Sequence, residues 1–181
     1  MKKFFAIAVL ALAAASASAQ AYVGGSLGLT RNTTENETNF TLAPEVGYNL
    51  DSTWAIGTTV EYSYTYNNGY KTNIGGIAPY ARYTYFRAVD NRLSLFVDGT
   101  FTLGFGKAKD GDFESDTVFV WNIGFRPGVS FNITKNFGLV THLGFLGYEG
   151  ANDAGKIAGN DEKFGFDFSS TNLTFGFYYN F

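Results

Sequence analysis

Six ionisable residues stand at alternate positions of apolar–polar segments, and they are where this chain could do chemistry: Glu45, Glu61, Arg82, Asp98, Arg126 and His142. Acids and bases gathered away from bulk water must pair, because an isolated buried charge is costly. Such a set can close a passage as a network of ion pairs, or carry ions by exchanging partners. It could also supply a base for nucleophilic attack, which needs a nucleophile within hydrogen-bond reach of that base. The only histidine is His142, and its same-face neighbours are Val140 and Gly144, with no serine two residues away. His142 therefore reads as a packed member of the network, and no catalytic residue is expected.

Metal chemistry finds equally little. The absence of cysteine removes thiolate sites and disulfides. The run Asp110-Gly111-Asp112-Phe113-Glu114-Ser115-Asp116 alternates acids. It lacks the central glycine and distal glutamate of a helix–loop–helix calcium loop. It reads as an acidic, solvated loop, and neither a metal nor a cofactor is expected.

To gather six residues spread over a hundred positions, the elements must run back and forth past one another. Read with a period of two, the chain divides into eight segments. In the first, Val23, Leu27 and Leu29 oppose Gly24, Ser26, Gly28 and Thr30. In the second, Leu42, Pro44, Val46 and Tyr48 oppose Ala43, Glu45 and Gly47. The third sets Trp54, Ile56, Val60, Tyr62 and Tyr64 against Ala55, Gly57, Thr59 and Glu61. The fourth sets Ile77, Pro79, Ala81 and Tyr83 against Tyr80, Arg82 and Thr84, and the fifth Leu95, Val97 and Phe101 against Ser94, Asp98 and Thr100. Phe125, Val129 and Phe131 oppose Arg126, Gly128 and Ser130 in the sixth. The seventh is weaker, with Leu139, Leu143 and Phe145 against Gly138, His142 and Gly144. The last sets Leu173, Phe175, Phe177, Tyr179 and Phe181 against Asn172, Thr174, Gly176, Tyr178 and Asn180.

Short connections are expected at 51–53, 89–91 and 134–136, and long ones at 32–39, 67–73, 106–116 and 149–163. Three short turns and four long loops suit an eight-stranded barrel with both termini on the periplasmic side. Each of the six ionisable residues then lies about five to seven residues up its strand, near mid-membrane at ~3.3 Å per residue. Glu61 with Arg82, and Arg82 with Asp98, are the expected neighbour pairs.

Aromatics make up 18% of the chain, with 19 Phe and 12 Tyr beside 22 Gly. An eight-stranded lumen cannot hold so many rings, so the apolar face points out into lipid and the small polar face points in. Trp54 at one end of the third segment, and Tyr62, Tyr64 and Tyr66 at the other, suit aromatic girdles at the two membrane interfaces.

The beginning of the chain reads as a secretory signal at residues 1–19. Lys2 and Lys3 precede an apolar run over 4–15, and Ala17-Ser18-Ala19 offers a cleavage site, with a second one ending at Ala21. Residues 20–181 then form one barrel domain. Without Lys2 and Lys3 the 13 basic residues fall to 11 against 16 acidic ones, a net charge of −5, which leaves no basic excess for a nucleic-acid partner.

The ending Leu173, Phe175, Phe177, Tyr179 and Phe181 resembles the C-terminal signal by which the barrel-assembly machinery recognises outer-membrane proteins. With the eight-segment pattern and the run Pro79-Tyr80-Ala81-Arg82-Tyr83, the whole mature chain resembles the small OmpA/OmpX-like outer-membrane β-barrel family. That resemblance implies an all-β, eight-stranded antiparallel up-and-down transmembrane barrel in a Gram-negative outer membrane. Its partners would be lipid, lipopolysaccharide and, during biogenesis, the assembly machinery. It does not imply an activity. A structural or surface-interaction role, a narrow porin-like channel and a lipid-A-modifying enzyme all stay open, and the charge-filled interior favours the first.

Overall fold

The computed structural model describes residues 20–33, 36–88, 90, 92–110, 113–157, 160, 162–167 and 173–181. The expected signal at 1–19, the inward position of Asn172, and Gly111 and Asp112 of the acidic loop lie outside these residues. The strands are β1 (Ala21–Asn32), β2 (Glu37–Asn49), β3 (Trp54–Asn67), β4 (Tyr70–Arg87), β5 (Leu93–Asp110), β6 (Phe113–Glu114), β7 (Val118–Asn132), β8 (Phe137–Leu143), β9 (Phe145–Ala151), β10 (Lys163–Asp167) and β11 (Leu173–Asn180). One short helix, α1 (Asp153–Ile157), follows β9.

Eight of these strands close into an antiparallel ring in the order β1-β2-β3-β4-β5-β7-β8-β11, with β11 returning to β1. Strand β9 continues along β7 beyond Gly144, β10 pairs with β9, and β6 folds back on β5. The alternation explains the closure. Val46, Ile56, Ile77, Phe101, Phe125, Leu139 and Phe177 are exposed on the outer wall, while Ala43, Ala55, Ala78, Asp98, Thr100, Val140 and His142 are buried inside. Large apolar groups outside and small or polar groups inside is the reverse of a water-soluble barrel. It suits a wall whose solvent is lipid and whose backbone groups bond to neighbouring strands.

The short turns are held by their own side chains. The Asp51 carboxylate accepts from the Thr53 and Trp54 amides at 2.6 and 2.8 Å. Thr134 Oγ1 accepts from the Phe137 amide at 2.9 Å.

At the opposite end two expected long loops are hairpin. Strands β3 and β4 stay paired to Asn67↔Tyr70, joined by Asn68 and Gly69 with φ of +47° and +98°. Both central residues have the positive φ of a type I′ turn, which Asn-Gly supplies at little steric cost. Strand β5 runs on to Asp110 opposite Tyr70, so β4 and β5 are each 18 residues long. Polar residues pair across this extension, Asn73 with Lys107 and Lys71 with Lys109. Along this extension one face carries Lys71, Asn73, Lys107 and Lys109 while Ala108 on the other face stays buried, so the hydrophobic period of the outer face disappears while the ladder continues.

A second difference falls at Gly144 (φ +130°). Gly128 pairs with His142 below it, whereas Gly124 pairs with Gly147 above it, a slip of one residue. A bulge of this kind exchanges the faces. Phe145, expected to face outward, therefore turns into the lumen and lines its upper cavity.

Glycine on the inner face has a specific use. Tyr22 pairs directly with Gly47, Tyr80 with Gly57, Phe96 with Gly128, and Tyr178 with Gly138. Each ring lies over the glycine opposite. A Cβ on Gly47, Gly57, Gly128 or Gly138 would stand 2.2–2.5 Å from an atom of that ring. The ring covers the bare backbone, and the missing side chain lets it lie flat across a narrow lumen.

Candidate functional site: a plug across the lumen

Cross-strand register assembles the centre of the barrel. Asp98 on β5 sits directly opposite Arg82 on β4 and Arg126 on β7, and His142 on β8 is opposite Gly128, two positions along from Arg126. Arg82 grips Asp98 with two parallel bonds, Nε to Oδ1 at 2.7 Å and Nη2 to Oδ2 at 2.8 Å. This is the bidentate geometry that makes a guanidinium–carboxylate pair both strong and directional. The same Arg82 Nη2 reaches Glu45 Oε1 at 3.6 Å.

His142 Nε2 lies 2.9 Å from Asp98 Oδ2, and its Nδ1 lies 3.4 Å from Thr174 Oγ1. An ionised carboxylate only accepts. A neutral imidazole with its proton on Nε2 donates to Asp98 and leaves Nδ1 to accept from Thr174.

Three aromatic residues, Tyr22, Tyr80 and Phe96, complete the chain of contacts. The Tyr80 hydroxyl donates to Glu45 and is bonded to the Tyr22 hydroxyl. Since Tyr80 has one proton to give, Tyr22 is the donor to Tyr80. Phe96 lies under the Arg82 guanidinium, 4.1 Å from the ring centroid, and meets the His142 ring edge-on at 5.5 Å. Cation–π contact of this kind strengthens as water is removed. Tyr22 and Phe96 carry their signal in parity alone, since both share the inner face of their strands.

The sequence-derived residues thus sort into two groups. Glu45, Arg82, Asp98 and His142 form one continuous chain, whereas Glu61 and Arg126 form a looser pair at 4.0 Å with side chains 34% and 26% exposed. The expected Glu61–Arg82 pair does not form. Glu61 is opposite Gly76 and Arg82 opposite Ala55, which separates them by six positions along the β3–β4 pair.

The chain of contacts divides the lumen. Above it lies a cavity of about 220 Å³ lined by Glu61, Arg126, Glu149 and several hydroxyls. Below it lies one of about 310 Å³ lined by Arg87, Lys135, Asn132 and Asn180. A space of about 10 Å³ lies at the level of these contacts, among Glu45, Tyr80, Asp98 and His142. Among the described residues no three His, Cys, Asp or Glu side chains converge as metal ligands.

At the end of the chain Phe175, Phe177 and Tyr179 point outward and are exposed. The Phe181 amide donates to the Ala21 carbonyl at 3.1 Å, which ties the terminus to the first strand. The Leu173 side chain lies outside the described residues.

Residues 4–181 match the family model described as the outer membrane protein β-barrel domain. No curated protein matches the chain. The inside-out closed barrel agrees with that match across nearly the whole sequence, and the chain belongs to the outer membrane protein β-barrel domain family.

Proposed function

We propose that this protein is a non-catalytic scaffold of the bacterial outer membrane, plugged inside and available for surface interaction at its extracellular end. The observation that carries the reading is the contact chain Tyr22–Tyr80–Glu45–Arg82–Asp98–His142, which spans the lumen with its members bonded to one another. A passage closed by a bidentate buried ion pair opens only if that pair breaks, leaving charges uncompensated. The extended β4–β5 ribbon presents the polar residues Lys71, Asn73, Lys107 and Lys109 on one face, as recognition elements on a rigid scaffold commonly do. The signal at 1–19 belongs to this reading as the route of export, and so do assembly by the barrel machinery and contact with lipopolysaccharide.

A narrow channel for ions or small solutes is the second reading, favoured by the polar cavities that approach the plug from both sides. Proteoliposome swelling in a small sugar separates the two. The scaffold reading expects swelling no faster than in protein-free liposomes, and rates that scale with protein content would overturn it. Mass analysis of lipid A from cells with and without the protein tests the absence of catalysis. Unchanged species are expected, and a new species lost on His142→Ala would refute it.

A further inference from the structure

The ring is not sealed to the same height all round. Among the described residues, strand β1 pairs with β11 from Tyr22↔Asn180 to Ser26↔Gly176. Its pairing with β2 continues six residues higher, to Asn32↔Glu37. Leu173, Thr174 and Phe175 of β11 remain paired with β8, so the two strands part above Ser26. The outer lips of this seam are apolar and among the most exposed groups of the wall, with Leu27 at 61%, Leu29 at 70% and Phe175 at 66%.

Directly inside the seam lies the upper cavity, whose lining includes Ser26 and Thr174. On its far side stand Glu61 and Arg126, held 4.0 Å apart and partly open to water. The plug floors the cavity, so the inference rests on the plugged reading only for that floor.

We infer that this cavity takes the head group of a single-chain zwitterionic amphiphile from the outer leaflet, with the acyl chain leaving sideways through the β1–β11 seam. Three features match that chemistry. Among the described residues, Leu27, Gly28 and Leu29 of β1 have no ladder partner on β11, and a polar head can partner backbone groups so placed within the membrane. A cation and an anion at fixed separation complement a phosphate and an ammonium on one head, Arg126 meeting the first and Glu61 the second. The lips meet a hydrocarbon chain with Leu27 and Phe175. The cavity admits a head group but leaves no room for a second chain.

The test uses the full mature chain in nanodiscs with lysophosphatidylethanolamine as probe. The chain has no cysteine, so Leu27→Cys with Phe175→Cys, joined by a short reducible bis-methanethiosulfonate linker, staples the seam from its outer face. Saturable nuclear magnetic resonance shifts are expected at Ser26, Thr41, Thr102 and Thr174 in the reduced protein. Stapling should weaken that binding at least tenfold, and reduction should restore it. Equal binding with the staple in place, or shifts confined to outward residues, would overturn the inference. So would equally tight, staple-independent binding of phosphoethanolamine lacking a chain, because entry would then be from the aqueous end.

A measurement on the unaltered protein guards against misfolding of the double variant. A nitroxide on the first carbons of the acyl chain of the same lipid, which leaves the phosphate and ammonium intact, should broaden Ser26 and Thr174 far more than Ser94 and Ser130 below the plug. Broadening of neither pair would refute the site. The plug itself is judged separately by conductance, so a protein that conducts and still binds defeats that reading and leaves this one standing.

Discussion

The aromatic–glycine pairs make a prediction whose sign depends on the partner present. A Cβ on Gly47 would stand 2.2 Å from Tyr22 Cζ and 2.4 Å from its hydroxyl oxygen. Tyr22 cannot step aside cheaply, since it is 3% exposed, clusters with Ala55 and Tyr80, and bonds the Tyr80 hydroxyl. Overpacking of this kind costs about 1–3 kcal/mol. Losing the Tyr22–Tyr80 hydrogen bond adds roughly 1 kcal/mol. Against these, alanine is better than glycine in a strand by ~0.5–1 kcal/mol. Gly47→Ala should therefore destabilise by about 2 kcal/mol, taking the middle of these ranges. In a Tyr22→Ala background the clash is gone and the same change should be neutral or stabilising by ~0.5–1 kcal/mol.

The assay is urea unfolding in short-chain phosphatidylcholine vesicles, followed by tryptophan fluorescence and by the unboiled gel shift. With a slope of about 2 kcal/mol per molar urea, the single variant should lower the midpoint by roughly 1 M. A Gly47→Ala cost that is the same with and without the Tyr22 ring would refute the reasoning, because the effect would then not come from that ring.

Removing Asp98 should be the most damaging change in the plug. Asp98→Ala leaves the Arg82 guanidinium with Glu45 at 3.6 Å and should cost about 3–5 kcal/mol in the same urea titration, and a loss under ~1 kcal/mol would contradict the pairing. At the β3–β4 hairpin, Gly69→Ala places a Cβ at φ +98° and should cost roughly 1 kcal/mol while raising amide exchange at Asn67 and Tyr70; unchanged exchange would argue against the type I′ turn. Asp51 governs a pH effect at the β2–β3 turn. The amides of Thr53 and Trp54 hold its carboxyl below its ordinary value of 3.8. A lowered folded value means the turn's contribution is present above the ordinary value and lost as pH falls through the folded one. Carboxyl titration by nuclear magnetic resonance should give a midpoint below 3.8 with faster Thr53 and Trp54 exchange beneath it, and an ordinary midpoint would sink the account.

What the sequence reveals here depends on which solvent each face meets. Between Leu42 and Leu50, or Ile77 and Tyr85, one face meets lipid and the other the lumen, so alternation gives both strand and direction. From Tyr70 to Asn73, and from Lys107 to Asp110, the outer face carries Lys71, Asn73, Lys107 and Lys109 instead of apolar groups and the hydrophobic alternation is gone, although Asn68-Gly69 alone signals a hairpin. Phe145 is misplaced because a single glycine slips the register, which no two-residue period reveals in advance. Inner-face membership of Glu45, Arg82, Asp98 and His142 is legible as polarity on a small-residue face, but their partners depend on register. That is why Glu61 meets Arg126 and not Arg82. Tyr22 and Phe96 stay hidden for a different reason, since an aromatic on the inner face looks like an interruption until the glycine opposite makes room for it.

The most direct test of the plugged barrel is single-channel recording of the refolded chain in planar bilayers, after a band that runs faster unboiled than boiled has shown that it is closed. A bonded lumen predicts no sustained conductance at moderate voltage, and long-lived openings once Tyr80 and Arg82 are both replaced by alanine. Large stable currents from the unaltered protein would contradict the account.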